Sequence, residues 1–64
     1  MKQFEITYQI VTADGKGKNQ IANVEAKDFD DARKIFLADM EEQYISHIID
    51  GMPDEETLTV IELY

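Results

Sequence analysis

The sequence contains no cysteine, and it has one proline and three glycines among its 64 residues. Without cysteine there can be no disulfide framework and no thiolate metal site, so a reducing, cytoplasmic setting is expected. Long apolar runs are also missing, because no stretch approaches the roughly 20 residues of a membrane span and no apolar segment follows Met1-Lys2-Gln3 as it would in a signal peptide. We therefore expect a soluble chain without a targeting segment.

Positive charge is scarce, since six Lys and Arg residues face 14 Asp and Glu residues, for a formal net charge of −8. Binding to nucleic acid or to an anionic membrane depends on clustered cations, so both functions are disfavoured. The 44% of hydrophobic residues nevertheless indicates a folded chain. A chain of this length can build only one core, and we predict one small domain over residues 1–64.

Alternating polarity predicts a half-buried strand over residues 2–13. Its inward apolar side chains are Phe4, Ile6, Tyr8 and Ile10. The following Asp-Gly dipeptide predicts a tight reversal, with residues 14–19 as a polar loop and residues 20–26 as a second, antiparallel strand. Small inward residues such as Ala22 and Ala26 leave space for a bulky neighbour.

A helix is predicted from Asp28, whose carboxylate can cap the free amides, with Asp30 and Asp31 placed favourably for the helix dipole. The apolar stripe expected to pack on the sheet consists of Phe29, Ala32, Ile35, Phe36 and Met40. Two alternatives stay open for residues 44–49, which either extend the helix or form a short strand.

Residues 51–56 are predicted to form a loop, and residues 57–64 a final strand with two partly apolar faces, as in an inner strand or a strand covered on both sides. The element order indicates an α+β fold, a small two-layer sandwich of β-β-α-β(-β) order. One helix would pack on a three- to four-stranded, mainly antiparallel sheet. If the last strand lies beside the first, a parallel pairing of these two is an open alternative.

No residues in the sequence assemble into a convincing catalytic, cofactor or metal site. Ser46 and His47 are the candidates for nucleophile and base, but adjacent residues point in different directions on a helix or a strand. His47 with Asp50 offers a sparse set of metal ligands. The glycines and lysines of residues 14–18 lack the spacing of a phosphate-binding loop. We therefore expect a protein that is not an enzyme and that needs no cofactor or metal.

Charge is segregated along the chain, because residues 1–27 have a net charge of +1 and residues 28–64 a net charge of −9. Such a field speeds encounter with a basic partner, although a small protein also keeps its net charge away from zero to avoid association. The first interpretation predicts a non-enzymatic, acidic protein-binding module. Its predicted partner-binding residues are Asp39, Glu41, Glu42, Asp54, Glu55 and Glu56.

In size, acidity and element order the chain resembles small proteins of phages and mobile elements, some of which inhibit host nucleases by presenting acidic surfaces in place of DNA. That resemblance covers general character and implies an inhibitor that docks on the nucleic-acid-binding surface of a host protein. An alternative is a structural protein that forms a homodimer through its sheet edges, because the final strand has no Lys or Pro to block pairing with another chain.

Overall fold

The computed structural model describes residues 1–63 and shows one helix packed on a four-stranded antiparallel sheet. The elements are β1 (Lys2–Thr12), β2 (Gly15–Ala26), α1 (Phe29–Ile45), β3 (Met52–Pro53), a 3₁₀ turn (Glu55–Thr57) and β4 (Thr59–Leu63). The predicted α+β sandwich and its β-β-α-β-β order are therefore confirmed.

Strand β1 lies in the centre of the sheet, with β2 on one side and β3 and β4 in succession on the other. All three neighbours run antiparallel to it. The parallel alternative for the first and last strands is wrong. After α1 the chain first pairs with Ile10 and Val11, near the C-terminal end of β1, and β4 then runs towards the N-terminal end of β1. The inner strand is thus β1, and β4 is an edge strand, which is not the inner position that its two partly apolar faces indicated but is the exposed edge that the homodimer alternative assumed.

The hairpin is confirmed, but its second strand begins at Gly15 and not at Gln20. Gly15 has a φ of 124° immediately after the turn, a value that favours glycine. A register shift between Gln9 and Val11 then accommodates one extra residue of β2. The polar residues predicted as loop form an exposed end of a strand, where no apolar pattern is required.

The core lies between α1 and the inner face of β1. Its buried side chains are Phe4, Ile6, Tyr8, Ala26, Ala32, Phe36 and Met40. Two members of the stripe predicted to pack on the sheet are not buried, because Phe29 is 49% exposed and Ile35 is 40% exposed. Phe29 is the first residue of α1 and touches the core through an edge contact with Phe4, at 5.1 Å between ring centroids. Ile35 lies about 100° around the helix from Phe36 and faces the side of the core.

Residues 44–49 follow neither of the two alternatives, because α1 ends at Ile45 and a turn follows. The amide of His47 donates to the carbonyl of Tyr44 at 3.1 Å, and the amide of Ile48 donates to the carbonyl of Gln43 at 2.9 Å. This pair of bonds is a Schellman motif, and His47, with φ of 61°, occupies the left-handed position that usually holds glycine.

We predict that His47→Gly stabilises the fold, by about 1 kcal/mol, because a residue with a Cβ is strained in the left-handed conformation. Equilibrium unfolding in urea measures the change. His47→Ala is the matched control, since it removes the imidazole and keeps the Cβ, and it is expected to give no stabilisation. Equal stabilisation by both variants would show that the imidazole, and not the backbone, is the unfavourable feature.

The segment predicted as a loop over residues 51–56 contains two short elements. Met52 and Pro53 pair with Val11 and Ile10, and this two-residue strand is too short for any periodic pattern to reveal. Asp54 then caps the 3₁₀ turn by accepting a hydrogen bond from the amide of Glu56 at 3.2 Å. The final strand consequently starts at Thr59.

Candidate functional site

The six predicted partner-binding residues occupy two separate regions. Asp39, Glu41 and Glu42 lie on the C-terminal half of α1, and Asp39 borders β2. Asp54, Glu55 and Glu56 belong to the segment after β3, on the other side of β1 from β2. The structure therefore presents one group of acids on a helix that packs across the sheet and another group in the turn between β3 and β4.

The three acids on α1 are themselves divided between two sides of the helix. Glu42 follows Asp39 by three residues and lies about 60° around the axis, so these two carboxylates are neighbours. Glu41 lies about 200° from Asp39 and points away from both the groove and β2. Asp39 is exposed, and its carboxylate accepts a hydrogen bond from the side-chain amide of Gln43 at 2.8 Å.

Asp54 has a structural partner. Its Oδ2 lies 3.0 Å from Lys16 Nζ, and its side chain is only 17% exposed. The hydrogen bond from Lys16 is the main cause that holds the pKa of the Asp54 carboxyl below its usual range. The pair spans β1 and joins the start of β2 to the segment after β3. Within the turn, Glu55 and Glu56 are therefore the acids most available to a partner.

The acids near the end of α1 are unfavourable for the helix itself. The carboxyl end of a helix carries a partial negative charge, which cations stabilise and anions destabilise. The last turn of α1 contains no basic residue. Across residues 1–63 the ion pairs are Lys2 with Glu62 at 3.6 Å and Lys16 with Asp54 at 3.0 Å, so no acid of α1 is paired. Glu41 and Glu42 thus add negative charge where the fold gains nothing from it.

A groove of about 290 Å³ lies between α1 and β2. Phe36 and Met40 line its helix side, and Ala22 and Val24 line its sheet side. Ala22 was predicted to leave space for a bulky neighbour, and the structure leaves part of that space open as the groove. Ile35 stands at the rim, where 40% of it is exposed.

Polar groups from three elements lie near this groove. The Tyr8 hydroxyl donates to Gln20 Oε1 at 3.1 Å. Burial is the main cause that raises the pKa of Tyr8, and the carboxylate of Asp39 raises it further. Asp39 lines the groove together with Phe36 and Met40, so one part of the groove is apolar and another is negatively charged.

A second, wider depression of about 480 Å³ lies at the C-terminal end of the helix, next to the hairpin turn. Its walls include Tyr44, Asp50 and Met52. Asp50 is its one acidic side chain, Thr12 and Tyr44 supply hydroxyl groups, and no histidine, lysine or arginine lines it. Chemistry on a bound molecule would need convergent polar groups, which this depression does not supply.

The candidates for catalysis or metal binding are not brought together. His47 terminates α1, as described above, and Ser46 is the residue that caps the helix. Within the part of the chain that the structure describes, no group of three or more His, Cys, Asp or Glu side chains could hold a metal ion. Over the same residues, no helix has the length and apolar composition to cross a bilayer.

Comparisons with protein-family models, with curated protein sequences and with solved structures gave no match to this chain. A functional proposal therefore rests on the surfaces described above.

Proposed function

We propose that the chain is a non-enzymatic binding module that docks through the acidic side of α1 on a basic surface of another protein. The observation that carries the proposal is the unpaired negative charge at the C-terminal end of α1, where the helix dipole makes it unfavourable. A charge arrangement that costs stability is expected where it serves binding.

A nucleic-acid-binding protein is the partner class that suits this surface best. Its basic face is shaped to receive phosphates, and exposed carboxylates can take the place of those phosphates. The pair formed by Asp39 and Glu42 would be the main contact, with Glu41 at its far side. Glu55 and Glu56 belong to the turn between β3 and β4, so they would add contacts only with a partner that reaches beyond α1. On this proposal the module is an inhibitor, like some small acidic proteins of phages and mobile elements, and it acts in the cytoplasm.

The test compares two triple variants of equal net charge. One carries Asp39→Asn, Glu41→Gln and Glu42→Gln. Its control carries Glu5→Gln, Asp14→Asn and Glu62→Gln, which lie away from α1. Each protein is immobilised and exposed to a cell lysate at low and at high salt. Basic nucleic-acid-binding proteins that are retained are identified by mass spectrometry, purified and titrated calorimetrically.

We expect retention at low salt, loss of retention at high salt, and displacement by duplex DNA. The helix variant should bind the purified partner about tenfold more weakly than the control variant. It should also be at least as stable in urea, because it removes charge that opposes the helix dipole. Equal weakening in both variants would show that net charge, and not the helix, drives binding. Affinity that is unchanged between low and high salt would exclude this mechanism.

Self-association is a second candidate, supported by the exposed apolar residues of β4. Ile61 is 48% exposed and Leu63 is 36% exposed, and among residues 1–63 β4 pairs only with β1. An unpaired edge without Lys or Pro favours pairing with another chain. On this alternative, two copies would join through β4 as a homodimer. Sedimentation at high micromolar concentration distinguishes the two candidates, because a monomer there excludes the homodimer.

A further inference from the structure

Strand β2 offers a second unpaired edge, and this one lies beside the groove. Within residues 1–63, β2 pairs only with β1, so alternate amides and carbonyls along it face away from the sheet. Residues 19–26 contain no Lys and no Pro, which are the usual means of blocking an edge. This part of β2 can therefore accept the backbone of another extended segment.

The helix supplies a wall above that edge. A strand added to β2 would direct every second side chain towards α1, because side chains alternate between the faces of a sheet. The first helix residue that these side chains meet is Ile35, which projects from the core at the groove rim. Ala22 and Val24 leave space below it. An apolar side chain of the added strand would cover the exposed part of Ile35.

One helical turn further along, the groove changes from apolar to negative. Asp39 follows Ile35 by four residues, which is a rise of about 6 Å along a helix. Two residues of a strand span about 6.8 Å, so consecutive helix-facing side chains of an added strand have nearly the same spacing. The side chain next to the apolar one would thus meet Asp39, which no cation in residues 1–63 pairs.

We propose that the β2 edge and the groove under α1 bind an extended segment of the partner protein by strand addition. The segment carries an apolar residue and, two positions away, Lys or Arg. The apolar residue packs on Ile35, the cation pairs with Asp39, and backbone hydrogen bonds to β2 supply the rest of the affinity. This inference rests on the proposed function, because it specifies how the acidic side of α1 recognises a basic partner.

The probe is an eight-residue peptide with capped ends, in which Thr fills every second position and Val and Lys alternate between them. Titration into the labelled protein, followed by NMR, should shift amides of residues 19–26 and 35–42. Asp39→Asn and Ile35→Ser should each weaken binding by about tenfold. Their matched controls are Asp30→Asn and Ile45→Ser, which alter an exposed acid and an exposed isoleucine of the same helix away from the groove. Both should bind within about twofold of the unchanged protein.

Methylation of alternate peptide amides distinguishes strand addition from simple charge attraction. One of the two methylation patterns should abolish binding, because it removes the donors that face β2. Undiminished binding of both methylated peptides would overturn strand addition. Shifts confined to α1, with none in residues 19–26, would also overturn this inference but leave the proposed function intact, whereas binding confined to residues 55–63 would overturn both. If neither the peptide nor any basic protein binds at low salt, both proposals fail. A dimer that occupies the β2 edge would overturn the inference as well.

Discussion

Phe36→Ala is expected to destabilise the fold by about 3–5 kcal/mol, the usual cost of removing a buried aromatic side chain. Phe36 is 2% exposed, and its ring lies 4.8 Å from the ring of Tyr8 between centroids. It joins α1 to the inner face of β1 through the same cluster as Ile6 and Met40. A domain of this size has a net stability of only about 3–5 kcal/mol, so the variant should be largely unfolded. Circular dichroism with urea titration measures the loss.

Phe29→Ala is the control for this experiment, because it makes the same substitution at the other phenylalanine of α1. Phe29 is 49% exposed and contacts Phe4 through an edge of its ring. Because Phe29 buries about half of its surface and makes one aromatic contact, its removal should lower the free energy of unfolding by about 1 kcal/mol. If the two variants lose equal stability, α1 is rotated on the sheet differently from what the structure shows, and the groove beside β2 would have a different lining.

The parts of the fold that could be predicted from sequence are those set by neighbouring residues. The alternation in β1 identified its inward face correctly, and Phe4 and Ile6 are fully buried. The start of α1 was also predictable, because a capping residue acts within one turn. The carboxylate of Asp28 accepts a hydrogen bond from the amide of Asp31 at 2.8 Å.

Other features depend on tertiary contacts that no local pattern encodes. Helical spacing assigned Phe29 and Ile35 to the same apolar stripe as Phe36, but only the width and position of the sheet decide which of them it covers. The length of β2 follows from pairing with β1, which overrides the polar character of its first residues. The register of β3 likewise depends on a partner strand about forty residues earlier in the chain.

The candidate site shows the same division between local and tertiary information. The acidity of the second half was evident from sequence, whereas the separation of Asp39 from Glu55 and Glu56 depends on strand order. The ion pair that removes Asp54 from the available acids joins it to Lys16, which is distant in sequence. The groove could not be predicted, because it forms where Ala22 of β2 meets the flank of α1.

Gly51→Ala is expected to destabilise the fold by about 3 kcal/mol or more, through a steric conflict with the backbone of β1. Gly51 is buried immediately before β3. A Cβ at this position would lie 2.8 Å from the carbonyl carbon of Val11, and closer still to its oxygen. Both are backbone atoms of the central strand, so they cannot move aside as a flexible side chain could. Relief of the conflict requires β3 to separate from β1.

Gly17→Ala is the matched control, because its added Cβ would lie 3.4 Å from the carbonyl oxygen of Ile10, close to an ordinary contact distance. This change should alter stability by less than about 1 kcal/mol. Urea unfolding compares the two variants, and amide exchange at Val11 and Asp54 reports whether β3 and the adjoining hydrogen bond to Gln9 are lost. A Gly51→Ala protein as stable as Gly17→Ala would mean that the chain leaves α1 along another path. In that case the pairing of β3 with Ile10 and Val11 would be lost, and β4 would be held against β1 only by its own residues.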